Sequence, residues 1–289
     1  MVEKKRDSIL GLHRAEFEEA KTKQRYSRIC EIVVGGAAAL SVLAGLIQPY
    51  APGFTCTPCI VYPLTILALA STVLIWAFSS QAKRNRSTAE RARRTLLVME
   101  GLDWVLSQKE ITDLIAGFSV SQEEATPWED PGYFVSTGKP GHERLATVIQ
   151  QSAFFSRHLF AASAKWSALW FIATLLPTTA ILFILPGVRS QAWGIAIAQI
   201  ICILLMLLIS IDFLGRAVDY AHASSAVGRV DERLEKSQAT ALSQSDLLLI
   251  WGDYNAAVQE APLIPQSVYE KHRDRLNALF SQRIEASRR

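Results

Sequence analysis

Residues 60–78 read IVYPLTILALASTVLIWAF, a run of apolar and small residues without a single charge. At about 1.5 Å of rise per residue, a helix of that length reaches roughly 28 Å, close to the hydrocarbon thickness of a bilayer. Three further runs share its character: Ile32 to Ile47, Trp166 to Leu185 and Ala192 to Ile211. They fall into two pairs, and the links Gln48 to Cys59 and Pro186 to Gln191 are too short to leave a membrane surface. The pattern predicts an all-α membrane protein, with four transmembrane helices in two hairpins and amphipathic cytoplasmic helices around them. The alternative, buried helices of a large soluble core, gives a 289-residue chain little use for four such stretches.

Charged residues make up only 20% of the chain and mean hydropathy is +0.18, a modest value because the segments outside the runs are strongly polar. The net charge of +3 is too small to indicate a nucleic-acid partner. Cations set the expected topology, since Lys and Arg near span ends stay on the cytoplasmic side. Lys4, Lys5, Arg6, Lys21, Lys23, Arg25 and Arg28 precede the first run, and Lys83, Arg84, Arg86, Arg91, Arg93 and Arg94 follow the second. The Gln48–Cys59 link carries no charge, and Arg189 is the one cation of the other link. Arg157, Lys165, Arg216 and Arg229 flank the second hairpin, which puts both termini and the middle segment in the cytoplasm. The basic cluster from Lys83 to Arg94 also suits anionic lipid headgroups. Glu16, Glu18 and Glu19 among the first cations, with no short apolar core and cleavage site, give no indication of a signal peptide.

The expected division is a cytoplasmic N-terminal helix over 1–30, hairpin one over 31–80, a cytoplasmic helical segment over 81–163 containing a loop at 126–141, hairpin two over 164–213, and cytoplasmic helices over 214–289. Gln81 to Gln108 places Ala89, Ala92, Leu96, Leu97, Met99 and Leu102 at three- and four-residue spacing, so the second span is expected to continue as an amphipathic helix. Gly215 to Gln238 is expected to continue the fourth span in the same way. Ser107-Gln108 ahead of Ile111 to Ile115 and Ser243-Gln244 ahead of Leu247 to Trp251 occupy corresponding places, which suggests a duplicated two-span unit. A last helix is expected over Ser267 to Ala286, entered through Pro262-Leu263-Ile264-Pro265.

Between the halves, Pro127, Pro131 and Pro140 with Gly132, Gly138 and Gly141 interrupt the helical pattern. Trp128, Tyr133 and Phe134 lie beside Ser136, Thr137 and Lys139, and Arg144 opens the next helix. A planar base could stack on those aromatics while the cations held phosphates, making Trp128, Tyr133, Phe134, Lys139 and Arg144 candidate ligand residues. The plainer reading is a loop whose aromatics plug the cytoplasmic bundle; Gly138-Lys139-Pro140-Gly141 lacks the spacing of a phosphate-binding P-loop. Within the spans, Thr178, Gln199 and Asp212 are the candidate polar residues of an aqueous path. Asp212 could pair with Arg216 one turn on, and Thr174, Thr178 and Thr179 surround Pro177, which frees a backbone carbonyl. Hydrogen bonding between helices would serve equally well. Gly35, Gly36, Ala37, Ala38, Ala39, Ser41 and Gly45 favour close helix packing in span one.

Chemistry leaves few marks. The five histidines, His13, His142, His158, His222 and His272, form no H-E-x-x-H, and there is no nucleophile elbow or Walker loop. No catalytic residue, cofactor or metal is expected. Cys30 and Cys202 lie at or in spans, where a thiol packs as a small apolar group. Cys56 and Cys59 form a C-x-x-C in the outside turn; two thiols without a neighbouring His fall short of a zinc site, and a bracing disulfide suits an oxidising compartment.

Gln24-Arg25-Tyr26 before the first span, Tyr133-Phe134-Val135-Ser136 in the middle loop, and Trp251-Gly252-Asp253-Tyr254-Asn255 followed by Pro262, Ile264-Pro265, Tyr269 and Arg273 resemble the SMODS-associated four-transmembrane effector family. The likeness covers the layout of nearly the whole chain. It implies a bacterial inner-membrane effector of an anti-phage signalling system, gated by a cyclic oligonucleotide from a cGAS-like nucleotidyltransferase and acting by opening the membrane. Four mostly apolar helices cannot enclose a wide water channel alone, so such a pore implies a homo-oligomer embedded in lipid. Two other readings compete: a small transporter or constitutive ion channel, and a membrane scaffold that recruits a soluble partner.

Overall fold

The computed structural model describes residues 2–47, 57–130, 138–184, 194, 197–205, 212–238 and 242–287. Among them the chain is helical throughout its regular structure, with no strand. The elements are α1 (Val2–Ile47), α2 (Thr57–Leu102), α3 (Gln108–Ala116), α4 (Gln122–Ala125) with a 3-10 turn at Thr126–Trp128, α5 (His142–Ile184), α6 (Phe213–Gln238), α7 (Gln244–Glu260) and α8 (Gln266–Ser287). Three of them, α1, α2 and α5, are long and apolar enough to cross a membrane. The chain is a membrane protein built from these helices. Of the fourth apolar run only residue 194 and the helical residues 197–205 are described, and the rest of that expectation lies outside the described residues. A duplicated repeat is likewise not established by the described elements.

The chain divides into two compact units, one formed by Met1–Lys21, Lys83–Trp166 and Arg216–Arg289, the other by Thr22–Ala82 and Ser167–Gly215. The second has an inverted pattern of burial. Many of its large apolar side chains face outward, with Ile32, Tyr62, Leu69, Trp76, Leu176 and Phe183 all exposed, while Ser27, Ala37, Ser71, Ser167 and Thr178 are buried, as is Ile201. Small and hydroxylated residues inside and large apolar ones outside are what lipid selects, because lipid gives an apolar side chain no reason to hide. Proline is accommodated here too: Pro63 and Pro177 both lie inside helices. Around Pro177 the hydroxyls of Thr174, Thr178 and Thr179 donate to carbonyls of their own helix at 2.8–2.9 Å, so these polar groups are satisfied without a partner helix.

The first unit is packed as a soluble bundle. One core joins Leu145, Ile149 and Phe160 of α5 to Tyr220, Val227 and Leu234 of α6 and to Leu247, Ile250 and Tyr254 of α7. A second joins Ile9 and Leu10 of α1 to Ala92, Leu96 and Met99 of α2 and Leu114 of α3, as the spacing along α2 predicts. Two glycines permit close approaches. A Cβ on Gly11 would stand 2.7 Å from the Ala125 carbonyl oxygen, and one on Gly101 would stand 2.6 Å from the Leu145 backbone. Ser107 and Ser121 each cap a short helix reciprocally with Glu110 and Glu124. Those backbone and hydroxyl hydrogen bonds hold both exposed carboxyls below the usual range. Ser243 caps α7.

Buried charge orders this unit further. Glu100 of α2 is almost fully buried and accepts from Arg6 of α1 at 2.7 Å and from Arg144 of α5. Asp231 of α6 is paired with Arg283 of α8 at 3.0 Å and with Arg157 of α5 at 3.6 Å. Glu16 of α1 accepts from the backbone N–H groups of Ser119 and Val120 at 2.9 and 3.3 Å, fixing the turn between α3 and α4. Arg86 donates through Nη2 to the carbonyls of Val258 and Gln259, at 3.1 and 3.0 Å, and of Ala261, so one guanidinium caps the carboxyl end of α7.

Three boundaries differ from expectation. The N-terminal polar helix and the first apolar run are one helix, α1, because no proline or reversing turn separates them. Conversely α2 ends at Leu102 instead of reaching Gln108, since Asp103 adopts φ 52° and Ser107 nucleates a new helix. Asp212, also at φ 52°, breaks the backbone just before α6 and accepts from the Gly215 N–H at 3.0 Å; helix continuity across Asp212 is thereby excluded. The last helix, expected over 267–286, spans Gln266–Ser287.

Replacing Arg86 with Ala removes three charge-assisted bonds and should lower unfolding stability by about 2 kcal/mol. All three acceptors are met by the single Nη2 atom, so Arg86→Lys, whose ammonium also carries its donors on one nitrogen, should recover part of the loss. Urea unfolding in detergent, read by circular dichroism, checks both; an alanine variant as stable as the parent would contradict the capping role.

Candidate functional site

The polar unit contains a cavity of about 480 Å³, within the usual range for small-molecule sites. Its wall draws on all three of the helices that also carry an apolar run. From α1 come Leu10, His13 and Arg14; from α2, Arg93, Leu96 and Leu97; from α5, Gln151, Ser152, Phe155, Ser156 and Leu159. Tyr254 of α7, Tyr269, Arg273, Asn277 and Phe280 of α8, and Asp130 also line it.

The cations are held at different depths. Arg93 is anchored by Glu90 at 2.8 Å and by the Asn255 side-chain oxygen at 3.0 Å, and its guanidinium lies 5.0 Å over the Tyr254 ring. Tyr254 in turn shares a 3.3 Å hydrogen bond with Ser156. Arg14 donates to the Trp128 carbonyl at 3.2 Å, faces Asp130 at 3.5 Å and lies 5.9 Å from the Trp128 ring centre. Arg273 is 60% exposed, and its Nε lies 3.6 Å from Asp274. Each of the three guanidiniums thus already faces a carboxylate, Glu90, Asp130 or Asp274, and the cavity wall is polar and close to charge balance.

His13 sits beside these cations yet well ahead of the apolar run of its helix. Burial lowers its pKa from 6.5 to about 4, more than Glu90 and the Ala89 carbonyl can offset, and Arg93 and Arg14 push in the same direction as burial. The ring is therefore neutral at physiological pH. The 2.9 Å contact of Nδ1 with the Ala89 carbonyl assigns the proton to Nδ1, leaving Nε2 as an acceptor.

The middle-loop candidates are dispersed. Trp128 packs against Leu12, Ala15 and Ala125, close to the plugging role weighed for it. Arg144 pairs with Glu100 and donates to the Gly138 carbonyl at 3.2 Å. Lys139 is exposed, and Tyr133 and Phe134 lie outside the described residues. Among the intramembrane candidates, Thr178 is buried and bonded to its own helix, while Gln199 and Asp212 are exposed. Cys59 is disulfide-bonded, and Cys56 lies outside the described residues. No group of three His, Cys, Asp or Glu side chains suited to a metal occurs among the described residues.

The sequence reading passed over the cavity because its residues are far apart in the chain. One signal was available: Tyr269, Arg273, Asn277 and Ser281 recur every four residues along α8 and share a face. No protein-family model, no curated protein and no solved structure matches this chain.

His13 yields a pH prediction. Its lowered pKa means the unfolded chain binds a proton that the folded chain refuses. This contribution to stability is complete above pH 6.5 and is lost as pH falls toward 4. Thermal midpoints at pH 7 and pH 5 should therefore converge in a His13→Asn variant relative to the parent. An identical acid sensitivity in both would contradict the assignment.

Proposed function

We propose that this chain is a non-catalytic, oligomeric membrane effector. Its cytoplasmic unit receives a soluble signal, and its apolar helices then permeabilise the bacterial inner membrane. The observation that carries this reading is the cavity: α1, α2 and α5 each contribute to its wall, and each continues without interruption into an apolar run. An occupant that prefers one arrangement of the wall would bias the same helices along their whole length, which is the differential affinity that gating requires. The resemblance to SMODS-associated four-transmembrane effectors supports a cyclic oligonucleotide as the signal and anti-phage defence as the setting. Cations before the first apolar run and after the second support cytoplasmic termini.

Purified protein in liposomes should retain an entrapped dye until one member of a panel of cyclic di- and trinucleotides is added, and then release it. Cells co-expressing the cognate synthase should lose membrane potential. Silence across the panel together with an intact potential would sink the proposal, and ligand-independent ion flux would favour a constitutive channel.

A further inference from the structure

An open face of α2 lies between α3 and α7, and it shares no residue with the larger cavity. Arg91, Arg94, Val98 and Leu102 recur along it at three- and four-residue spacing, and none of them is buried. Its lower part is a polar hollow of about 310 Å³, where Ser87, Arg91 and Arg94 of α2 meet Asp113 of α3 and Gln259 of α7. Its upper part is apolar. The helix α7 runs antiparallel to α2, since Arg86 meets the carboxyl end of α7 while Arg93 meets Asn255. Leu248, two turns before Asn255 on the same face of α7, therefore comes level with Leu102, and the two are 55% and 37% exposed.

The charges of this face are not spent. Arg93, Arg144 and Arg283 each meet a carboxylate, but no ion pair among the described residues includes Arg91 or Arg94. Arg94 donates to the Gln259 side chain, and its Nε is buried without an acceptor. Helix carboxyl ends are the plain use for such cations, yet Arg86 already caps α7 and Thr88 donates to the Gly117 carbonyl at 3.4 Å. Anionic lipid is the other ordinary use. Along α2 itself, however, Arg91 and Arg94 stand about 20–24 Å beyond Phe78, and a headgroup layer is only about 6 Å thick.

We propose that this face docks an acidic amphipathic helix of a soluble protein partner, with carboxylates on Arg91 and Arg94 and an apolar side chain resting between Leu102 and Leu248. Two guanidiniums one turn apart offer paired donors to carboxylates at the same spacing on the partner. Asp113 is the one carboxylate of the hollow, so the pair keeps an excess of positive charge. The apolar contact lies about 12 Å farther along α2, two turns of a helix laid beside it. The proposal adds a partner to the effector reading and does not rest on it.

The test is fluorescence anisotropy of a labelled synthetic helix, with two glutamates one turn apart and leucines two turns on along the same face, titrated with the full chain in nanodiscs of neutral lipid. The peptide should bind saturably, at least about tenfold tighter than an isomer carrying lysines for the glutamates, and more weakly as salt rises. Arg91→Gln with Arg94→Gln should weaken it about tenfold at unchanged helicity and melting temperature, while Arg229→Gln, an exposed cation on α6, should not. Leu102→Ser with Leu248→Ser should weaken it without changing the salt dependence, which loss of a merely electrostatic attraction would not do. Equal binding of the two peptides, or equal binding by the Arg91 and Arg94 double variant, would overturn the proposal. So would displacement of the peptide by phosphatidylglycerol in the nanodiscs, which would give the face to lipid, or a smaller sedimenting assembly in the double variant, which would give it to a second copy of the chain.

Discussion

The structure depends on the pairing of Glu100 with Arg6 and Arg144, because this buried carboxylate ties together the three helices that run on into apolar stretches. A carboxylate withdrawn from water is tolerable only when its charge is met and its lone pairs are filled. Here α1 and α5 each supply a guanidinium to α2. Removing both guanidiniums would strand the buried carboxylate inside the bundle, whereas removing one leaves it paired with the other. Hydrophobic packing around Leu96, Leu97 and Ile149 supplies bulk attraction but little direction. The ion pairs at Glu100 and Asp231 add registry, since they are met in only one relative setting of the helices.

The two units obey opposite rules, and both rules follow from their solvent. In the polar unit large apolar residues are inside, and the charges that enter are paired. In the other unit Ser27, Ser71, Ser167 and Thr178 are inside while Ile32, Trp76 and Phe183 are outside. A single helix such as α1 passes from one regime to the other without a break, its backbone satisfied internally in both. Under the effector proposal, that continuity is the route by which an event at the cavity would reach lipid.

Much of this was legible in the sequence. The apolar runs within α1, α2 and α5 stand out because lipid leaves no tolerance for charge over about 30 Å. The buried face of α2 follows from the spacing of Ala89, Ala92 and Leu96, and the start of α8 from Pro262 and Pro265. Helix ends were harder to read. Asp103 and Asp212 adopt left-handed backbone conformations that an aspartate tolerates but does not announce. The cavity was harder still, because Arg14, Arg93, Tyr254 and Arg273 are brought together by tertiary packing and no local pattern joins them. Arg144 illustrates the converse: it looked available beside a loop, and the fold spends its charge on Glu100.

If the tie at Glu100 governs the membrane-directed helices, loosening it should mimic the signal. The decisive measurement is dye retention in liposomes carrying Glu100→Gln protein without any nucleotide, with hydrogen exchange on the same sample to verify that α1, α2 and α5 have loosened around residue 100. The account predicts spontaneous leakage where the parent protein stays sealed. Liposomes that remain sealed while exchange shows the tie broken would contradict it.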